Sequence, residues 1–131
     1  MGLLSSFSLL HGARAASGID IDPTIIQSAR LIAEALDVSP AFSRLDLASM
    51  EDWESQLPPA DIVAAMSLIH WLKPEVQTRV LAFLGRHQEL LYEGHDSLAI
   101  ETQRLRSVGF NSIEVLSSTE RGRLLLYARK S

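Results

Sequence analysis

Residues 18–23, GIDIDP, decide the fold that this sequence predicts. A short strand ends at Asp20. Asp22 followed by Pro23 is typical of a helix start, because an aspartate caps the first free N–H groups and proline fits the first helical position. Apolar residues then recur at helical spacing over residues 25–36. The stretch therefore predicts a strand that passes directly into an amphipathic helix.

The same alternation of strands and helices continues along the chain. Further strands are predicted at 41–45, 61–66 and 90–93, and period-two patterns at 112–116 and 123–129 predict a terminal hairpin. Further helices are predicted from Lys73–Pro74 and after a cap at Asp96 or Ser97. Because residues 62–66 are continuously apolar, we expect that strand near the centre of the sheet with both faces covered.

The first residues favour a helix over a targeting signal. Residues 1–6 match a myristoylation pattern, and residues 13–15 resemble the small-residue site of a signal peptide. Short acylation patterns often occur by chance, serines break the apolar run, and no positive charge precedes it. Leu3, Phe7 and Leu10 recur at helical spacing, and Gly12 is placed to end the helix. We therefore interpret this segment as an amphipathic helix.

Length and composition restrict the classes of function. The 131 residues predict one domain over 1–131, and the net charge of -4 disfavours nucleic-acid binding driven by bulk charge. The absence of cysteine excludes disulfides, thiolate metal sites and cysteine nucleophiles. The longest apolar stretch, residues 62–69, is shorter than the ~20 residues of a membrane-spanning helix. A cytoplasmic location is the default expectation.

Three carboxylates follow predicted strands: Asp20, Asp46 and Glu93. Ligands in open α/β sheets bind beyond the carboxyl ends of the strands, so this position is informative. Asp20 is the candidate for accepting hydrogen bonds from both hydroxyls of a ribose, and Asp46 for accepting one from an exocyclic amine such as that of adenine. The alternative is that each aspartate forms a local turn or cap.

Three blocks, residues 18–23, 44–47 and 61–70, resemble the second, third and fourth conserved blocks of class I S-adenosylmethionine-dependent methyltransferases. Their order, their spacing and the terminal hairpin also match, and the resemblance covers roughly residues 2–130. It implies an α/β fold with a doubly wound, Rossmann-like, mostly parallel sheet and a C-terminal antiparallel hairpin, lacking the first strand.

The resemblance also implies a cofactor, S-adenosylmethionine, and residues that bind it. The position of Asp20 binds the ribose, that of Ile21 contacts the adenine, and that of Asp46 binds the adenine amine with Leu47 beside it. Two further positions are expected at the cofactor: Gly2, as the last glycine of a glycine-rich loop, and Met66, at the end of a strand.

The acceptor side of the predicted site is less well marked. Ser67, His70 and Trp71 follow the strand at 61–66, where the family places residues that face the acceptor. His70 is the candidate catalytic base for removing a proton from an alcohol or phenol, and a structural role is the alternative. Residues 93–96, EGHD, are interpreted as a loop and helix cap, so no metal site is predicted.

The family's first strand and glycine-rich loop have no counterpart before Gly2. Loss of that strand would leave unpaired strand edges and an incomplete pocket. The alternatives are a truncated product, a sheet closed by direct pairing of the flanking strands, and a strand borrowed from another copy or partner. The predicted function is methyl transfer to an unidentified acceptor. The alternatives are a catalytically inactive interaction subunit or truncated fragment, and a nicotinamide-dependent dehydrogenase.

Overall fold

The computed structural model describes residues 2–131, which alternate between helix and strand as predicted. The helices are α1 Gly2–Leu10, α2 Pro23–Ala35, α3 Pro74–Leu84 and α4 Leu98–Ser107, with 3-10 turns at Glu54–Gln56 and Ile69–Trp71. The strands are β1 Ser17–Asp20, β2 Ala41–Arg44, β3 Ile62–Met66, β4 Glu89–Gly94, β5 Ser112–Ser118 and β6 Leu124–Arg129. Residues up to Ser49 form one compact unit and Met50–Ser131 form another. The expectation of a single domain over residues 1–131 stays a prediction.

The first unit holds a parallel pair of strands, β1 and β2, in register from Ser17 opposite Ala41 to Asp20 opposite Arg44. The helix between them begins as predicted, because the Asp22 side chain accepts a hydrogen bond from the Thr24 N–H at 2.8 Å. The buried core of this unit consists of small and branched residues from α2 and one aromatic residue from β2: Ile26, Ala29, Ala33 and Phe42.

Helix α1 packs through its small residues. A Cβ on Gly2 would lie 2.6 Å from the Cα of Ala29, so only glycine allows this approach to α2. Ser6 is fully buried, and its hydroxyl has no hydrogen-bond partner among residues 2–131. The apolar side chains whose spacing predicted this helix are about half exposed: Leu3 at 50%, Phe7 at 45% and Leu10 at 48%.

The second unit contains a mixed four-stranded sheet in the order β3-β4-β6-β5. Strands β3 and β4 are parallel, whereas β4 pairs antiparallel with β6 and β6 with β5. The predicted hairpin is thereby confirmed, with Gly122 in its turn at a φ of 76°. The sheet core is fully buried in the two inner strands, at Leu90, Tyr92, Leu126 and Ala128.

The expected central position of β3 is wrong for the described sheet. Strand β3 pairs only with β4 among residues 2–131, and it lies at the sheet edge. Ala65 is buried, but Ile62 is 50% exposed. The physical reason is that a continuous apolar run reports the covering of a strand's faces, and it carries no information about which backbones pair along its edges.

The ends of the remaining helices follow local sequence signals. Ser97, rather than Asp96, caps α4, and its hydroxyl accepts from the Ile100 N–H. After α4 the chain turns at Gly109, whose φ of 104° favours glycine. No helix within residues 2–131 combines the length and apolarity needed to cross a bilayer.

Candidate functional site

The carboxyl ends of β1 and β2 carry the first pair of predicted site residues. The Leu45 N–H donates to the Asp20 carbonyl at 2.9 Å, so the two strand ends are joined by a backbone hydrogen bond. Asp20 Oδ1 accepts from the Asp22 N–H, and Asp46 Oδ1 accepts from the Ala48 N–H, each at 2.9 Å. Both carboxylates therefore lie at the same end of the strand pair. Each is oriented by a turn in which its side chain accepts a hydrogen bond from the backbone N–H two residues further along the chain.

The second oxygen of each carboxylate is available to a ligand. Within residues 2–131, Oδ2 of Asp20 and Oδ2 of Asp46 have no hydrogen-bond partner. Asp20 is half-buried and Asp46 is exposed. An ionised carboxylate only accepts hydrogen bonds, so these oxygens suit hydroxyl or amine donors.

Apolar side chains follow both aspartates. Ile21 is 53% exposed and Leu47 is half-buried. Arg44 Nε donates to the Ile21 carbonyl at 2.9 Å and ties the residue after β1 to the end of β2. The edge thus combines carboxylates with adjacent apolar surface, which suits a ligand that is part ring and part hydroxyl.

The remaining predicted residues lie elsewhere in the two units. Gly2 begins α1, where the contact with Ala29 explains the need for glycine. Met66 ends β3, half-buried and opposite Glu93 of β4. The assigned roles of the predicted site residues, including His70 as a base, stay predictions.

A second polar cluster lies at the carboxyl ends of β3 and β4. The Ser67 hydroxyl donates a short hydrogen bond to Oε1 of Glu93. His95 Nε2 lies 3.0 Å from Ser67 Oγ and 3.7 Å from Glu93 Oε1. Arg123 Nη1 also lies 3.7 Å from Glu93 Oε1 and balances its charge. We call Ser67, Glu93 and His95 the strand-end relay.

The backbone at Ser67 is unusual for a serine. Its φ is 51°, in the left-handed region, which non-glycine residues adopt at a cost of about 1 kcal/mol or more. This conformation ends β3, and the chain then enters the 3-10 turn Ile69–Trp71. Met66 lies opposite Glu93 in the pairing of β3 with β4, so the next residue, Ser67, reaches Glu93 although the two are 26 positions apart in the sequence.

His70 stacks on the relay histidine. The ring centroids of His70 and His95 are 3.6 Å apart, with an angle of 20° between the ring planes. Burial lowers the pKa of His70, and the positive charges of His95 and Arg123 lower it further. Two stacked imidazoles repel when both are charged, so a positive charge on His95 disfavours protonation of His70.

Glu101 holds the loop that carries His95, a role that the sequence did not indicate. Its side chain is almost fully buried, and Oε1 accepts from the backbone N–H groups of His95 and Asp96 at 3.1 and 3.0 Å. Oε2 accepts from the Tyr92 hydroxyl at 2.7 Å and from Arg104 at 2.6 Å. Glu101 therefore fixes the backbone on which the His95 ring is mounted.

Neighbours of Glu101 show how tightly this network is built. A Cβ on Gly94 would lie 2.4 Å from Glu101 Cδ, so glycine makes room for the carboxylate. Burial raises the pKa of Tyr92, and its hydrogen bond to Glu101 raises it further. Arg104 Nη2 also bonds Asp96 at 2.8 Å. The only sequence signal was an acid in the first turn of a helix.

The interpretation of residues 93–96 as loop and cap is wrong for Glu93 and Gly94, which end β4, and the cap of α4 is Ser97. Glu93 and His95 instead belong to a long-range cluster. Within residues 2–131, no three acid or imidazole groups are arranged to hold a metal. An open recess of about 510 Å³ lies at the amino-terminal ends of β3 and β4, lined by Pro59–Asp61 and Arg86–Glu89. It is at the opposite end of these strands from the relay.

Comparison with known proteins identifies the fold. No family model and no curated protein matches the chain. Solved structures do match: the N-terminal domain of EvdMO1 with SAH bound has a TM-score of 0.71 at 13% identity, covering 96% of this chain and 69% of that one. Magnesium protoporphyrin IX methyltransferase (ChlM) from Synechocystis PCC 6803 with bound SAM has a TM-score of 0.70 at 18% identity, covering 94% and 62%.

The 16S rRNA methyltransferase RmtF, in complex with S-adenosyl-L-homocysteine, is also similar, with a TM-score of 0.60 at 17% identity. The match covers 99% of this chain and 53% of the RmtF chain. The chain spans 31% of the full EvdMO1 structure that it matches. The protein therefore has the α/β fold of class I methyltransferases, a mostly parallel arrangement with a C-terminal antiparallel hairpin.

Proposed function

We propose that this protein takes part in S-adenosylmethionine-dependent methyl transfer to an acceptor that is not yet identified. The observation that carries the proposal is the pair of aspartates at the joined ends of β1 and β2, each with one oxygen free for a ligand. The fold similarity to proteins solved with SAM or SAH supports it.

The residues at this edge fit the nucleoside part of such a cofactor. Asp20 would accept from the ribose hydroxyls, and Asp46 would accept from the adenine amine. Ile21 and Leu47 supply apolar surface beside them. Gly2 and Met66 are proposed as further contacts on the strength of the sequence resemblance. The role proposed for Asp20 is that of the carboxylate after the second strand in nucleotide-binding α/β folds, which accepts hydrogen bonds from the ribose.

The chemistry that the cofactor supplies is an electrophilic methyl group on a sulfonium sulfur. The chain's own contribution is to hold the adenosyl part and to align an acceptor, because alignment provides most of the assistance that an in-line displacement needs. We also propose that a second copy or a partner completes the sheet and that the protein is cytoplasmic.

Asp20→Ala tests the proposal by calorimetric titration with S-adenosylhomocysteine. Each charge-assisted hydrogen bond contributes about 1.5–3 kcal/mol, so loss of the carboxylate should weaken binding at least roughly tenfold. Asp61→Ala is the matched control, because Asp61 is an exposed aspartate that precedes β3 and follows no strand. Its affinity should equal that of the unchanged protein.

Three results would argue against the proposed function or against the role of Asp20 in it. A folded chain that does not bind S-adenosylhomocysteine would favour the alternative of an inactive interaction subunit. Equal affinities for the unchanged protein and Asp20→Ala would remove Asp20 from the ribose role. Binding of a nicotinamide dinucleotide in place of S-adenosylhomocysteine would favour the dehydrogenase alternative.

A further inference from the structure

One peptide group after β1 is held at both of its ends. The peptide that joins Ile21 to Asp22 uses its N–H to donate to Asp20 Oδ1 at 2.9 Å. The carbonyl of the same peptide, which belongs to Ile21, accepts from Arg44 Nε at 2.9 Å. Because a peptide group is planar and rigid, holding its oxygen also fixes the direction of its N–H. Arg44 therefore restrains the group that orients the Asp20 carboxylate.

The restraint comes from the neighbouring strand of the same unit. Arg44 lies 23 positions after Ile21 in the sequence, and it is the register partner of Asp20 in the pairing of β1 with β2. The Asp20 carbonyl also accepts from the Leu45 N–H. Two successive carbonyls after β1 thus accept from the end of β2, so this segment cannot leave the strand pair without breaking both hydrogen bonds.

Arg44 does not neutralise the carboxylate that it restrains. A guanidinium beside an aspartate commonly binds both carboxylate oxygens. Here the Nε–H of Arg44 is used by the Ile21 carbonyl, and Arg44 and Asp20 form no ion pair with each other among residues 2–131. A carboxylate that is oriented without being ion-paired keeps its second oxygen available to a hydroxyl donor.

We infer that Arg44 is a positioning residue for the ribose of a bound nucleoside. Through the peptide between Ile21 and Asp22, it holds the Asp20 carboxylate in the orientation that presents Oδ2 to the ribose hydroxyls. Arg44 acts through Asp20 and does not touch the ribose itself. The inference rests on the proposed function and deepens it, because it adds to the nucleoside site a residue to which the sequence analysis gave no role.

The restraint acts on the population of the turn that is competent to bind. Without the hydrogen bond from Arg44, the peptide is free to rotate, and the Asp20 carboxylate is oriented in only a fraction of the molecules. The dissociation constant of a ligand that needs this orientation rises by the inverse of that fraction. One net hydrogen bond corresponds to roughly a fivefold change in an equilibrium constant, which is the expected size of the effect.

Two substitutions separate the Nε–H donor from the positive charge. In Arg44→Gln, the amide nitrogen occupies the place of Nε along the side chain, so an N–H donor is kept and the charge is removed. In Arg44→Met, a side chain of similar length loses both the donor and the charge. Because Arg44 is exposed, both variants should stay folded, which circular dichroism verifies.

Arg14→Met is the matched control for these substitutions. Arg14 is an exposed arginine of the same unit, it precedes β1, and its side chain makes no hydrogen bond within the described part of the chain. The control therefore removes an equal charge without removing a restraint. Its affinity for S-adenosylhomocysteine and its amide exchange rates should equal those of the unchanged protein.

The first test needs no ligand and observes the Asp22 amide by NMR in a ¹⁵N-labelled chain. Hydrogen exchange of the Asp22 N–H should be faster in Arg44→Met than in the unchanged protein, because the peptide is then held only by Asp20. Arg44→Gln should exchange at the rate of the unchanged protein. An Asp22 exchange rate that Arg44→Met leaves unaltered would overturn the inference.

The second test is calorimetric titration with S-adenosylhomocysteine. Arg44→Met should weaken binding roughly fivefold, and Arg44→Gln should stay within about twofold of the unchanged protein. In the Asp20→Ala background, Arg44→Met should change the affinity by less than about twofold, because the carboxylate that it positions is absent. A merely structural role would weaken binding by the same factor in both backgrounds.

The outcomes of the inference and of the proposed function are distinguishable. An affinity of Arg44→Gln as low as that of Arg44→Met would assign the effect to the guanidinium charge and overturn the inference. Unchanged affinity in Arg44→Met, or equal losses with and without the Asp20 carboxylate, would also overturn it and leave the proposed function standing. Failure of the unchanged protein to bind S-adenosylhomocysteine would overturn the proposed function, and with it the role of Arg44 toward a ribose.

Discussion

The two groups of strand ends in this molecule are built in different ways. At the ends of β1 and β2, each aspartate is oriented by a backbone N–H only two residues further along the chain. At the ends of β3 and β4, the contacts join residues 26 and 28 positions apart. The first arrangement is specified locally, and the second exists only once the sheet has formed.

This difference predicts how far the effect of a substitution extends at each group of strand ends. A local turn depends on one side chain and its own backbone, with the bond from Arg44 as an additional restraint at Asp20, so its loss remains local. The relay depends on Glu101, which holds the His95 backbone and is itself buried in a network with Tyr92 and Arg104. A change there should affect stability and site together.

The largest expected effect comes from Glu101→Ala. It leaves Arg104 without its buried partner, the Tyr92 hydroxyl without its acceptor and two backbone N–H groups unsatisfied. Breaking a buried ion pair in this way costs about 3–5 kcal/mol. Urea unfolding followed by circular dichroism measures the loss.

The exposed Glu120 provides the control for this substitution. Glu120→Ala should change the free energy of unfolding by less than about 0.5 kcal/mol. Equal effects of the two substitutions would contradict the distinction between the locally specified and the network-dependent strand ends.

An intermediate effect is expected from Asp22→Ala in the first unit. The substitution removes the side chain that caps α2 through the Thr24 N–H, which costs about 1 kcal/mol. Asp22→Asn keeps the acceptor oxygen and should restore most of the stability. Thermal unfolding of the three proteins provides the measurement, and a loss as large as that of Glu101→Ala would show that the first unit is not governed by local contacts.

The smallest effect concerns the ion pair of Glu54 and Arg79, whose side chains are 16% and 30% exposed. The hydrogen bond from Arg79 lowers the pKa of Glu54 from 4.5 to about 2. A group whose pKa is lower in the folded state stabilises the protein above its unfolded pKa, so this contribution is present above pH 4.5 and is lost as the pH falls toward 2.

Glu54→Gln should flatten the dependence of stability on pH inside that window and leave the slope above pH 5 unchanged. Urea unfolding between pH 2.5 and pH 5 provides the comparison. An unchanged slope inside the window would show that exposure to solvent cancels the benefit of the pair, as it does for many surface ion pairs.

Several features could be predicted from the sequence because their causes are local. Asp22 and Pro23 predicted the start of α2 through a cap and a proline at the first helical position, and the period-two pattern around Gly122 predicted the hairpin. Asp20 and Asp46 could be placed at strand ends for the same reason. The blocks around them also supported the correct fold class, since the matched structures share it.

Other features could not be predicted from the sequence because they depend on tertiary packing and on strand pairing. The stripe of Leu3, Phe7 and Leu10 predicted a helix, but Gly2 and Ser6 form its buried face, since only small residues allow α1 to approach α2 closely. Likewise, the apolar run of β3 gave no sign that the strand lies at an edge of its described sheet.

The amino-acid sequence by itself determined the order and approximate position of the strands and helices and which carboxylates leave the strand ends, because caps, turns and periodicity act over a few residues. Only the tertiary structure decided that Ser67, Glu93 and His95 meet and that Glu101 is buried beneath them. The reason is that hydrogen bonds between distant residues depend on strand order and on exclusion of water, which no short stretch of sequence records.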